Sequence, residues 1–180
     1  MKAVLASLKP YYYYLVGEGI KTIEVRKTFP KAEDWSKDIF FYMCRDEKSF
    51  AEIPKVFREK YRKHFGKIGL RVVCDNILDY TLDPYGHHSY YISDDDFEST
   101  CLTFFEELWD YGKGKTLYGW HISNLIIYDK PRELSDFLID CKNCNKKFVG
   151  DPNCWQGCVD GYRRITRPPQ SWCYVERRKP

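Results

Sequence analysis

Hydrophobic and polar positions change period several times along the chain, and each change predicts an element. In Thr22–Lys27 the apolar residues alternate, so Ile23 and Val25 point into a core while Thr22, Glu24 and Arg26 share the opposite face of a strand. Ile39 to Cys44 is almost wholly apolar and reads as a strand buried on both faces. Leu70 to Leu82 is β-rich, with Val72, Ile77 and Leu78 as core candidates; Leu117 to Tyr128 and Trp172 to Glu176 also read as strands. Helical spacing is seen at Phe50, Ile53, Phe57 and Tyr61, which predicts a helix over Phe50 to His64 with a late start or a kink at Pro54. Shorter helices are expected at Pro10–Val16, where Pro10 suits the first helical position, at Thr103–Tyr111 before Gly112 and Gly114, and at Pro131–Leu138. Short mixed elements without a βαβ rhythm give an α+β fold.

The 180 residues fit a single domain, 1–180, and 43% hydrophobic residues can fill its core. Charge is unevenly spread, although the net is only +3. Residues 1 to 74 hold 16 basic and 9 acidic side chains, residues 75 to 110 hold ten acids and no Lys or Arg, and residues 141 to 180 hold 9 basic and 3 acidic. Such segregation can present a basic face to phosphate, or it can be solvated charge of both signs. An aromatic share of 17% serves a core and equally a base-stacking platform.

The opening apolar run is cut by Lys9 and Pro10, so no secretory signal is expected, and no apolar run reaches membrane-spanning length. A cytoplasmic protein with no membrane association follows, in which eight cysteines read as thiols or metal ligands rather than disulfides. Cys141 and Cys144, nine intervening residues, then Cys154 and Cys158 make two close thiol pairs in the stretch 141–165. This suits tetrahedral structural zinc, which would staple a segment too polar to fold by burial; four free thiols in a surface insertion is the other reading. Four thiolates leave no open position for a catalytic metal, and no organic cofactor is called for. Cys44, Cys74, Cys101 and Cys173 fall in predicted elements and read as core residues. The adjacent His87 and His88 read as a plain loop.

The chemistry concentrates in Gly19-Ile20-Lys21-Thr22-Ile23-Glu24-Val25-Arg26, three charged groups in a segment otherwise built as a half-buried strand. Lys21 is out of phase with the alternation, so it is expected in a turn that Gly19 permits through positive φ, from which its ammonium reaches Glu24 and Arg26. An exposed strand with a surface ion pair of under ~1 kcal/mol is the plainer alternative. Lys21 and Arg26 can hold a phosphate or carboxylate, and Glu24 can accept a hydrogen bond from a base or sugar or act as general base. Ser7 and Lys9 precede the first helix and can meet a phosphate at its positive end. His121 and Ser123 share a strand face and offer a second polar wall, while Trp120 and Trp172 are either base platforms or core packing.

The spacing G-x-K-x-x-E-x-R resembles that of the ASCH domain family, whose fold is related to the PUA domain of RNA-modifying proteins. Leu5-Ala6-Ser7-Leu8-Lys9-Pro10, Gly119-Trp120-His121-Ile122-Ser123-Asn124-Leu125 and Thr166 to Glu176 are similar to a branch common in bacteria and their phages. The resemblance spans the chain and implies a small twisted β-barrel with surrounding helices and a cleft between them. It implies binding of single-stranded RNA or a nucleotide at Ser7, Lys9, Lys21, Glu24, Arg26, Trp120, His121, Ser123 and Trp172. The alternative is a ribonuclease or other hydrolase using Lys21, Glu24 and His121. One small branch hydrolyses acetylated cytidine with a Thr where this chain has Glu24, so that nucleophile is absent here. A phage or mobile-element protein whose zinc insertion docks a protein partner is a third reading, and no partner motif identifies such a partner.

Overall fold

Strict alternation along two neighbouring strands builds the centre of the molecule. In β1 (Lys2–Leu8), Val4, Ala6 and Leu8 enter one core while Ala3 and Leu5 enter another. In β3 (Trp35–Met43), Ile39, Phe41 and Met43 join the first, and Phe40 and Tyr42 the second. Both strands are therefore covered on both faces, which is why their apolar runs are nearly continuous. The computed structural model describes residues 2–33, 35–83, 89–141 and 161–176.

The remaining elements are α1 (Pro10–Gly17), β2 (Ile23–Arg26), α2 (Glu47–Phe50), α3 (Lys55–Arg62), β4 (Ile68–Tyr80), α4 (Asp94–Thr100), α5 (Phe105–Gly112), β5 (Leu117–Arg132), β6 (Leu138–Asp140), β7 (Tyr162–Arg164) and β8 (Trp172–Glu176). Eight strands form one sheet in the order β2-β5-β4-β3-β1-β8-β6-β7, in which β1 and β3 run parallel and the other pairs antiparallel. The α+β class is as expected, but the sheet is open among the described residues where a closed barrel was expected. Closure would need β2 to pair with β7. The outer side of β2 instead meets α4, with Thr22 N–H donating to the Ser99 carbonyl at 3.1 Å.

Three further differences have local causes. Pro54 breaks the helix expected over Phe50–His64 into α2 and α3 by standing as the N-cap of α3. The helix expected at Pro131–Leu138 is a single 3₁₀ turn, Leu134–Asp136, because β5 runs on to Arg132 and Phe137 is drawn into the second core at 1% exposure. The α4 helix falls in the acidic stretch and carries no apolar period, yet Ser93 caps it and Asp94, Asp95 and Asp96 occupy its first turn. The long β4–β5 pair changes register between Arg71 and Val73 and again between Cys74 and Asn76, bulges that bend the ladder. No helix among the described residues is long and apolar enough to cross a membrane.

Candidate functional site

Gly19, at φ +71°, turns the chain after α1, and the Ile20 and Lys21 amides both donate to the Leu15 carbonyl. That turn sends the Lys21 side chain inward. Its Nζ donates to the Thr100 carbonyl at 2.5 Å and lies 3.5 Å from Glu24 Oε2, while Glu24 Oε1 lies 3.0 Å from Arg26 Nε. Lys21, Glu24 and Arg26 are only 4%, 7% and 5% exposed. They form a buried ion triad, in place of the exposed pair that was the plainer alternative. Burial pushes the Lys21 ammonium below the usual lysine range, and Glu24 pulls it back only in part.

Arg26 is committed to the protein. Its Nη1 donates to the Ser171 carbonyl and hydroxyl, both at 3.2 Å, and its Nη2 donates to the Ser7 carbonyl at 2.8 Å. The guanidinium carbon also lies 6.0 Å from the centre of the Trp120 ring. With Nε against Glu24, the fork is used in tying β2 to the end of β1 and to the segment before β8.

Above the triad opens a cavity of about 320 Å³. Lys21, Glu24 and Arg26 line it together with Tyr12 of α1, Leu102, and Glu107, Leu108 and Tyr111 of α5. Ser7 and Lys9 complete it where β1 passes into α1. Lys21 Nζ sits 5.4 Å from the Tyr12 ring centre, and Lys27 Nζ 4.8 Å from that of Tyr111. Burial raises the pKa of both phenols, so both are hydrogen-bonding hydroxyls at neutral pH. Glu107 accepts from the Thr103 and Phe104 amides through Oε1, which fixes it at the start of α5.

The other sequence-derived residues lie elsewhere. Trp120 is fully buried in the first core, with the Trp172 ring edge-on at 5.8 Å, so it is packing and not a platform. Trp172 is half-buried, donates from Nε1 to Thr28 Oγ1 at 3.0 Å, and does not line the cleft. His121 and Ser123 project from β5 on the face opposite Trp120 and line no part of the cleft. There His121 Nδ1 meets Asp75 Oδ1 at 2.5 Å, and this contact holds the Asp75 carboxyl below its ordinary range. Cys141 is buried, whereas Cys144, Cys154 and Cys158 lie outside the described residues, as do His87 and His88. Of the other cysteines Cys74 is buried and Cys44, Cys101 and Cys173 are half-buried, none of them in a disulfide.

Sequence reasoning missed Tyr12, Glu107 and Tyr111. Tyr12 follows Lys9 by three positions, a helical spacing that puts the two on one side of the α1 start and would have flagged it. Glu107 and Tyr111 sit four apart on α5, but nothing local tells that α5 faces the Lys21 turn.

No family profile matches the chain, and no curated protein matches it in sequence. Solved structures match it in fold. The ASCH protein of Zymomonas mobilis superposes with a TM-score of 0.51 at 15% identity, covering 97% of this chain and 87% of that one. Two mutants of the same protein, a Tyr→Phe and a Ser→Ala, give 0.51 and 0.52 at 14% and 13% identity, covering 98% and 97% of this chain and 91% and 88% of theirs. The chain has the ASCH fold. Within the ASCH fold, the G-x-K-x-x-E-x-R stretch of this chain forms the turn and edge strand at the base of the cleft.

Proposed function

We propose that this ASCH-fold protein binds single-stranded RNA or a nucleotide in the cleft above Lys21 and Glu24. The observation that carries this reading is a buried amine and a buried carboxylate side by side at the base of a cavity flanked by two tyrosines. An amine that donates and a carboxylate that accepts match the mixed edge of a base or the hydroxyls of a ribose, and aromatic rings match a base face. Lys9 is exposed and carries the phosphate contact. Arg26 serves by holding Glu24 and the cleft wall in place.

Titrating a short labelled RNA tests it. Tyr111→Ala is expected to weaken binding about tenfold, the scale of one lost base stack. Parent and variant affinities that coincide, with the variant folded, defeat the reading.

A hydrolase acting on RNA or a modified nucleoside is the second reading, favoured by the lowered pKa of Lys21. An amine that gives up its proton closer to neutrality, beside a carboxylate, is suited to general-base work. In this reading Lys21 takes a proton from an attacking hydroxyl or water and Glu24 orients it. His121 stands on the other face of the sheet and has no part. Cleavage of mixed RNA by the parent, lost in Lys21→Met, supports the hydrolase; RNA left intact by the parent supports the binding module.

A further inference from the structure

A second cavity, of about 630 Å³, is not used by the reading above. Tyr42, Cys44, Arg45, Ser135, Thr166 and Pro168 line it. The two cavities share one end of the sheet. Ser7 pairs with Tyr42 and Leu8 with Met43 in the parallel β1–β3 register, so the chain leaves both strands at the same level. Ser7 and Leu8 line the first cavity and Cys44 the second, and the Cys44 amide donates to the Leu8 carbonyl at 2.8 Å between them. Behind that contact runs a strap: Ser7 Oγ donates to the Pro169 carbonyl at 2.7 Å, and Ser7 N–H to the Ser171 carbonyl at 3.0 Å. A backbone hydrogen bond and a short length of chain therefore lie between residues of one cavity and residues of the other.

The junction carries positive charge. Arg26 Nη2 donates to the Ser7 carbonyl at 2.8 Å and Lys9 lines the first cavity, against Asp46, whose Oδ1 accepts from the Ser49 amide. Arg45 lines the second cavity together with Tyr42. The one carboxylate lining that cavity, Glu133, is paired with Lys67 at 2.8 Å. Hydroxyls at Ser135 and Thr166 stand with the apolar surfaces of Leu134, Ile165 and Pro168. This combination of cation, hydroxyls and an apolar wall is what a nucleotide requires: a phosphate contact, polar partners and a surface for the base.

We infer that the second cavity is a subsite for the neighbouring nucleotide of the same single strand, whose linking phosphate crosses the Ser7–Cys44 junction beside Lys9. This inference rests on the cleft as a nucleotide site. It makes the protein a reader of two consecutive nucleotides, each in its own pocket, with affinity gained by joining them.

Calorimetric titration with uridine 5′-monophosphate, UpU and UpUpU, and the matching adenine series, tests it. The parent is expected to bind the dinucleotide about tenfold more tightly than the mononucleotide. Thr166→Trp fills the second cavity from an exposed position. It is expected to erase that gain and leave mononucleotide binding as it was. Tyr111→Ala, in the cleft, is expected to weaken every length. Equal affinity of the parent for one and two nucleotides, or a gain that survives Thr166→Trp, overturns the second subsite, and the cleft reading then stands if Tyr111→Ala still weakens binding. A dinucleotide gain that Thr166→Trp removes while Tyr111→Ala changes nothing overturns the two-pocket inference and the cleft reading together. No binding at any length overturns both as well.

Discussion

Arg26 grips Ser171, 145 positions away, through both its backbone carbonyl and its hydroxyl at 3.2 Å. A cation that sequence alone reads as a phosphate ligand is thereby a strut. Its attachment to Ser171 and to the Ser7 carbonyl joins three separate parts of the chain around the cleft.

Removing the strut should cost stability rather than phosphate affinity. Arg26→Ala leaves Glu24 with Lys21 as its one cation and strips donors from three part-buried acceptors, so unfolding free energy should fall by about 3 kcal/mol. The salt dependence of RNA binding separates this from a phosphate contact. Lys9→Gln should make the slope of log K against log salt shallower by about 0.7, while Arg26→Ala, measured where it is folded, should leave it unchanged. A shallower slope for Arg26→Ala would return the guanidinium to the ligand.

The Lys21 amine should titrate below 10.5, because burial disfavours the charged form more than Glu24 favours it. Glu24→Gln removes the pull and should move the midpoint further down. Nitrogen-detected NMR of the lysine Nζ groups reads both values. A parent midpoint at or above 10.5 would mean that solvent reaches the amine, and the general-base reading would lose its ground.

His64 sets a separate acid response. It is fully buried between the Tyr13 and Tyr61 rings, with Nδ1 2.9 Å from the Tyr13 hydroxyl, and burial helped by Lys63 and Lys60 takes its pKa down from 6.5 to about 4. The unfolded chain then takes up this proton first. Its contribution to stability is full above pH 6.5 and is lost as pH falls towards 4, a change of about 3 kcal/mol. Urea unfolding at pH 7.5 and pH 4 should show the parent losing about that much more than His64→Gln, which carries no titrating ring. Equal losses in the two proteins would place His64 in contact with water.

Much of the fold was legible because it depends on local periods. The apolar run from Ile39, read as a strand covered on both faces, and the spacing of Tyr61 from Phe57 follow from short-range geometry, and both appear in the structure. The turn at Gly19 was legible for the same reason. What escaped depends on partners far off in sequence. The parallel pairing of β1 with β3, the Thr100 carbonyl that receives Lys21, and the Ser171 that occupies Arg26 have no signature near the residues they affect. Trp120 shows the limit plainly. Beside His121 on one strand the two look alike, yet the pleat sends the first into the core and the second to solvent.

The cysteine cluster gives the last test. Cys141 closes the base of its segment, with its amide donating to the Gly161 carbonyl at 2.8 Å, and β6 and β7 pair from Leu138–Arg164 to Asp140–Tyr162. Joining residues 141 and 161 shortens the loop that a metal would close, which lowers the entropy cost of ligation. Reduced protein should carry about one zinc per chain by metal analysis, released by chelator. Cys144→Ser should lose it and open residues 141 to 165 to protease, leaving the cores on both faces of β1 intact. Cys144 is the position to change because Cys141 is buried, and its replacement would disturb packing as well as ligation. Metal near zero in the reduced parent would leave the four thiols without a common ligand.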